Sequence, residues 1–334
     1  MMVERWVRVS VSVLTAVLAL GAAPAETPKT RSFDFTYKAK VTGLPEGAHK
    51  VDLWLPYPMS DDLQEVTVAG ISSPVPYEVN KDPRYGSSVL HLSLTDPKVS
   101  EIPVEMTVRV RRRESLHHDL PAKPAKAARP AEAAKWMKPD RLVPLDDTIR
   151  KLALQVTQGK KTDLEKARAI YDYVEKTMSY DKSGTGWGNG DIYWACDAKR
   201  GNCTDFHALF IGLSRAVGIP AKFEIGFPVP GDRGQGEIGG YHCWAEFYLN
   251  GYGWVPVDAS EAWKHPDKRE YFFGALDENR VQFSIGRDVV LAPPQAGAPL
   301  NYFVYPYVEV DGKPFDKVAK SFSYKDEGAE AKGR

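Results

Sequence analysis

The sequence predicts an α+β protein in which an antiparallel β-sandwich-like domain precedes a mixed helix-and-strand unit. Three observations carry that prediction. Residues 30–115 alternate apolar and polar side chains with period two, in runs broken by Pro, Gly and Asn. Helical periodicity begins only after about residue 145. The last helical pattern opens on Cys203 and gives way to short strand patterns, so strands come first and the mixed unit second.

A chain of 334 residues has room for two domains with real hydrophobic cores. Its 44 Lys and Arg balance its 44 Asp and Glu, and no basic stripe or acidic run stands out. That excludes a function built on bulk electrostatics, so no nucleic-acid partner is expected.

Residues 1–25 have the layout of a signal peptide. Arg5 and Arg8 supply the positive end, Val9 to Leu20 the apolar stretch, and Ala23-Pro24-Ala25 the cleavage site. The stretch is shorter than the ~20 residues that span a bilayer. The expectation is an exported protein, periplasmic or secreted, with no membrane partner beyond the signal peptide.

Residues 26–115 follow as the β domain. Phe33, Phe35, Tyr37, Ala39 and Val41 share one face of a strand. Val51, Leu53 and Leu55 repeat the pattern, as do Leu90, Leu92 and Leu94, then Val104, Met106, Val108 and Val110. His91 reads as an ordinary strand side chain. Residues 116–143 read as an exposed linker, because Pro121 to Lys135 is rich in Ala, Lys and Pro and lacks apolar periodicity. The His117-His118 pair at its start has no acid or cysteine at ligand spacing, so it is read as solvated.

The second unit is expected over residues 144–324. Ile149, Leu152, Ala153 and Val156 mark a helix that Gly159 ends. Thr162 and Glu165 form a capping-box pair for the next, whose stripe is Leu164, Ala167, Ile170, Tyr171, Val174 and Met178. A long loop rich in Gly and Trp then leads to Cys203. Phe223, Ile225 and Phe227 suggest a strand, Pro230 to Gly240 a flexible loop, and YHCWAEFYL with WVPVD a hairpin. QFSI and NYFVYPYVEV supply further strands of this unit, and residues 325–334 a disordered tail.

Cys203 stands in the first turn of a helix with the stripe Phe206, Leu209, Phe210, Leu213 and Val217. The helix dipole and unpaired N–H groups there favour a thiolate. His242 shares a strand face with Trp244, Glu246 and Tyr248, whereas Cys243, Ala245, Phe247 and Leu249 face the other, more apolar way. His242 is therefore the expected base and Asp258 its orienting acid. That pairing carries a condition. A two-residue Asn250-Gly251 turn would place His242 and Asp258 on opposite faces, so the hairpin needs an odd-length loop or a bulge. His207 is read as packing, Asp205 as a capping acid, and Cys243 as a core residue. Only three cysteines exist, so at least one is unpaired; Cys196 and Cys243 could pair.

Cys203 within GNCTDFHALF, His242 within YHCWAEF and Asp258 within GWVPVDAS resemble the three motif blocks of the transglutaminase-like superfamily. The resemblance covers residues 145–262 and implies a papain-like core with a Cys, His, Asp order. It implies a thioester on Cys203 formed from an amide, peptide or protein substrate, with no metal and no cofactor. Similar enzymes draw a second oxyanion donor from an upstream side chain, in some cases a tryptophan; Trp187 and Trp194 are candidates for that place or for the wall of a substrate groove. The expected activity is amide or peptide hydrolysis. Its alternatives are a protein-crosslinking acyltransferase and a non-catalytic binding protein on the same fold, with a zinc site at Cys196, Cys203, His207 and His242 or Cys243 as a further rival.

Overall fold

A computed structural model describes residues 27–117, 119–121 and 129–328. The expected signal peptide, His118, residues 122–128 of the Ala/Lys/Pro run and residues 329–334 lie outside them. No helix among the described residues is long and apolar enough to cross a membrane.

Period-two alternation does build a sandwich, and the chain returns to complete it. One five-stranded sheet runs in the order Gln235–Glu237, Val318–Asp326, Thr30–Thr42, Glu101–Arg113, Gln64–Ser72. The other runs Lys313–Pro314, Tyr307–Val310, Lys50–Tyr57, Ser88–Thr95, Tyr77–Lys81. Phe33, Phe35, Tyr37, Ala39 and Val41 are all buried along the first strand. Each large apolar side chain so buried is worth roughly 1.5–3 kcal/mol.

Three expectations change here. The strands after residue 305, expected in the second unit, belong to the sandwich: Val318–Asp326 pairs the otherwise open backbone edge of Thr30–Thr42, and Tyr307–Val310 that of Lys50–Tyr57. The last of them runs to Asp326, so Lys325 and Asp326 are strand rather than tail: Asp326 pairs with Phe33 and receives Arg31. The Pro230–Gly240 loop likewise contributes a strand, Gln235–Glu237, to the sandwich sheet.

The expected linker is also partly built. Ser115–Leu116 pairs with Ala275–Leu276, and Ala131–Ala134 forms a helical turn continued by Lys135–Met137. Trp136 explains the order: its ring is buried, stacked at 5.0 Å on Tyr85 and edge-on to Trp254.

The second unit is a four-stranded antiparallel sheet, in the order Gly253–Val257, His242–Leu249, Ala221–Pro228, Arg280–Ile285. The Cys203–Ala216 helix lies against it, buried on every side from Cys203 to Arg215. Asp147–Val156, Asp163–Thr177 and Ile192–Ala198 cover its outer face. The Thr162/Glu165 capping box is present. The long loop before Cys203 differs from expectation, since Ile192–Ala198 within it is a helix, capped by the Asp191 carboxylate on the Tyr193 and Trp194 N–H groups.

Candidate active site

Asn202 and Asp205 fix the start of the central helix. The Asn202 side chain accepts from Thr204 N, and Asp205 reaches back to Asn202 N at 3.0 Å, a capping box directly over Cys203. Gly201 is required beside it, with φ of 150° and no room for a Cβ, which would lie 2.2 Å from Asp205 Oδ2. Asp205 also accepts from Gly188 N and Gly190 N, so it pins the glycine-rich loop above the site. Burial raises its carboxyl against the pull of those N–H donors. Arg287 holds the same loop from behind, donating to the Gly190 and Asn189 carbonyls.

The hairpin meets its condition. Leu249 pairs with Gly253, leaving the three-residue loop Asn250-Gly251-Tyr252, and an odd loop puts residues 242 and 258 on one face. His242 Nε2 lies 2.7 Å from Asp258 Oδ2. Its other ring nitrogen is left for Cys203, and the imidazolium and the thiolate each favour the other's charge. Gly226, the strand partner of His242, allows the neighbouring strand to come close: a Cβ there would meet Val281 O at 1.8 Å.

Asp258 sits beyond the strand as N-cap of the Ala259–Lys264 helix, fully buried. Glu261 N and Ser260 Oγ donate to its Oδ1, and Arg280 Nη1 joins His242 on its Oδ2 at 3.1 Å. Burial resists the charge, but the His242 imidazolium first, then Arg280 and His207, hold this carboxyl well below the usual range. Burial also opposes charge on His242; the Asp258 carboxylate and the Cys203 thiolate outweigh it and push the imidazolium up to about 10. On Cys203, burial is overcome by hydrogen bonds from Cys243 and His242 and by the histidine charge, so its thiol is held well below the ordinary value. The three groups therefore rest as thiolate, imidazolium and carboxylate.

Arg280 is the residue that sequence reasoning missed. It is buried, bonded to Asp258 and Asp277 and laid over the Trp244 ring at 4.9 Å. Its signal was a lone charge opening an otherwise uncharged strand, RVQFSI.

The remaining candidates fall in different places. His207 packs under the helix, with Nδ1 donating to the Cys203 carbonyl at 2.8 Å and Nε2 3.7 Å from Asp258 Oδ1. Trp187 donates its indole N–H to Gly184 O at 3.2 Å, and Trp194 packs beneath Gly186 with Arg200 over its ring. Trp187 belongs to the glycine-rich loop and Trp194 to the Ile192–Ala198 helix that follows it. A tyrosine cluster lies close enough to feel the thiolate instead: burial, and beyond it the Cys203 charge, raises Tyr180, Tyr241, Tyr302 and Tyr305. Tyr241 OH accepts from Asn202 Nδ2 at 2.9 Å and meets Thr204 Oγ1 at 2.8 Å. All three cysteines are free, and among the described residues no group of three or more His, Cys, Asp or Glu is placed to hold a metal. A groove of about 660 Å³ along the Asp163–Thr177 helix is lined by Leu164, Tyr173 and Phe273 and not by Cys203, His242 or Asp258.

The family model for the transglutaminase-like superfamily matches residues 150–259. An uncharacterized protein of Haemophilus influenzae is 28% identical over 361 residues, covering 95% of this chain and 97% of its own. The uncharacterized protein YebA of Bacillus subtilis is 25% identical over 145 residues, covering 38% of this chain but 20% of its own. In fold, the chain is similar to the crystal structure of a candidate cysteine protease from Cytophaga hutchinsonii, with a TM-score of 0.59 at 16% identity, covering 89% of this chain and 98% of the other.

Proposed function

Residues 150–259 form a transglutaminase-like core, and from that premise we propose that the protein is an exported cysteine enzyme that hydrolyses amide or peptide bonds through a thioester on Cys203. The observation that carries this reading is the buried relay itself. His242 is held at 2.7 Å by an Asp258 that is ionised and bonded on both oxygens, and it faces a thiol at a helix N-terminus.

The steps follow from the protonation states. The Cys203 thiolate attacks the carbonyl carbon, and negative charge develops on the carbonyl oxygen. The Cys203 backbone N–H, a first-turn position without an intrahelical acceptor, is the donor proposed to meet it. Collapse of the tetrahedral species expels the amine, which takes the proton held on the His242 ring. The neutral imidazole then removes a proton from water, and attack of that water on the thioester releases the acid and restores the thiolate. Asp258 keeps the ring in the tautomer that can do both.

Hydrolysis is preferred over transfer because it needs no second binding site for an amine. Export is proposed from the layout of residues 1–25. The deciding experiment incubates the protein with a panel of peptide amides, traps the acyl-enzyme by acid quench, and locates the added mass. An acyl group on Cys203 that partitions to water, with or without added labelled amine, supports the reading. An adduct that is discharged only by amine makes the protein an acyltransferase, and no adduct with any peptide or amide leaves the binding protein.

A further inference from the structure

Cys243 follows His242 in sequence and points to the other face of the strand, under the first turn of the Cys203–Ala216 helix. Its Sγ lies 3.8 Å from Thr204 Oγ1 and 3.7 Å from His207 Nδ1. His207 Nδ1 in turn bonds the Cys203 carbonyl at 2.8 Å, so Cys243 lies beside the Cys203 turn, close enough that burial and the Cys203 thiolate raise its thiol. The nucleophile thus has two neighbours, the His242 ring on one side and a second thiol on the other, both sulfurs buried. The positions that follow on the same face are Ala245, Phe247 and Leu249, which only fill space. Cys196, the third cysteine, sits on a different helix, Ile192–Ala198.

We propose that Cys203 and Cys243 form a reversible disulfide when the protein meets a peroxide, with Cys243 as the resolving cysteine. The chemistry balances without any bound oxidant. The Cys203 thiolate attacks one oxygen of the peroxide and breaks the O–O bond, giving a sulfenic acid and, with one proton, water. The Cys243 sulfur attacks the Cys203 sulfur; its S–H proton leaves with the displaced hydroxyl as a second water, and the S–S bond forms. Two thiols and one peroxide become a disulfide and two waters. Burial and the nearby thiolate raise the Cys243 thiol and keep it protonated at rest, so it does not compete with Cys203 as nucleophile. The disulfide silences Cys203 and shields it from sulfinic acid, which thiols do not reverse. The proposal requires Cys203 to be the reactive thiol, as in the proposed function, but not that it acts on amides.

The test treats the protein with equimolar hydrogen peroxide, blocks free thiols with iodoacetamide and maps unreduced peptides by mass spectrometry. The expected product is a linked pair of peptides containing Cys203 and Cys243, with Cys196 still alkylated. Dithiothreitol should restore alkylation of Cys203 to its starting rate. In Cys243→Ala, checked for fold by circular dichroism and replaced by Cys243→Ser if unfolded, two equivalents of peroxide, one for the sulfenic and one for the sulfinic step, should leave Cys203 as sulfinic acid that dithiothreitol cannot recover. Irreversible oxidation of Cys203 in the wild type with Cys243 still alkylated overturns the proposal, as does a link from Cys203 to Cys196. Failure of acyl trapping with a normal disulfide would remove only the amidase reading.

Discussion

Replacing Asp258 with Asn tests the relay at its most constrained point. Asn caps a helix about as well as Asp, so its side-chain oxygen can keep the bonds from Glu261 N and Ser260 Oγ. The amide nitrogen then faces His242 Nε2 and Arg280, where a carboxylate oxygen had been. An N–H donor there turns Nε2 into an acceptor, which places the ring proton on the nitrogen facing Cys203 and leaves no base for the thiol. The imidazolium, held at about 10 by Asp258 and the thiolate, loses its largest support while its burial remains. Cys203, still buried, should lose the ion pair that holds its thiol down, rise to the ordinary range or above it, and rest mostly protonated at pH 7. Amide turnover should fall about 10³- to 10⁴-fold, the size seen when an orienting acid is neutralised. Stability should fall by about 2–3 kcal/mol, since Arg280 keeps Asp277 but loses its buried partner. The assay is the pH profile of iodoacetamide alkylation, read at its midpoint. A rate at one pH misleads, because a more basic thiolate is intrinsically more nucleophilic and offsets its scarcity. An unchanged midpoint in a folded Asp258→Asn protein would refute the reasoning, because the ion pair would then owe nothing to this carboxylate.

Three further outcomes follow from the same geometry. Iodoacetamide at pH 7 should label Cys203 first, since burial and two neighbouring carboxylates push Cys196 up to about 11 and burial raises Cys243; peptide mapping at short times reads the order. His242→Ala should lose about 10⁴-fold or more in turnover, and His207→Ala should keep measurable activity, because His207 bonds the Cys203 carbonyl and not its sulfur; steady-state rates on one peptide amide compare them. Glu246, raised to about 7 by burial and by Glu224, holds its proton more tightly in the folded state than unfolded, so its contribution is full below about pH 4 and is lost as pH rises through 7. Glu246→Gln should therefore flatten the decline in Tm between pH 5 and 8, read by calorimetry.

What could be read from the sequence was local or periodic. The Thr162/Glu165 box is two side chains bonding two nearby N–H groups, and it forms as read. The hairpin parity could be argued from Asn250-Gly251-Tyr252-Gly253 alone, because one residue more or less in the loop exchanges the two strand faces. The Ile192–Ala198 helix escaped notice because seven residues are too few to show a period, although Asp191 before Ile192 was a usable cap. Arg280 had no local reason to be read as part of the site: its partner Asp258 lies twenty-two positions away and meets it only through a neighbouring strand. The closing strand Val318–Asp326 pairs with residues at the other end of the chain, a choice set by which apolar faces remain uncovered and not by its own composition.

That long-range closure bears on the chemistry. Arg31, on the first sandwich strand, donates to the Val229 and Pro230 carbonyls, to Asn279 Oδ1 and to the Asp326 carboxylate. It so ties the end of one site-unit strand to the residue just before Arg280. Phe35 and Tyr37 continue the same face against Phe227 and Phe283, at ring separations of 5.2–6.1 Å. Arg280 therefore takes its position from contacts made by the sandwich, and Asp258 takes part of its charge from Arg280. A helix N-terminus and a hairpin are enough to bring the thiol and the imidazole together. Holding a carboxylate ionised with no solvent around it requires a cation fixed in place, and here that cation is fixed by strands from both ends of the chain. The sandwich is on this argument part of the machinery that sets the charge state of the thiol, even though no sandwich side chain bonds to Cys203, His242 or Asp258 among the described residues.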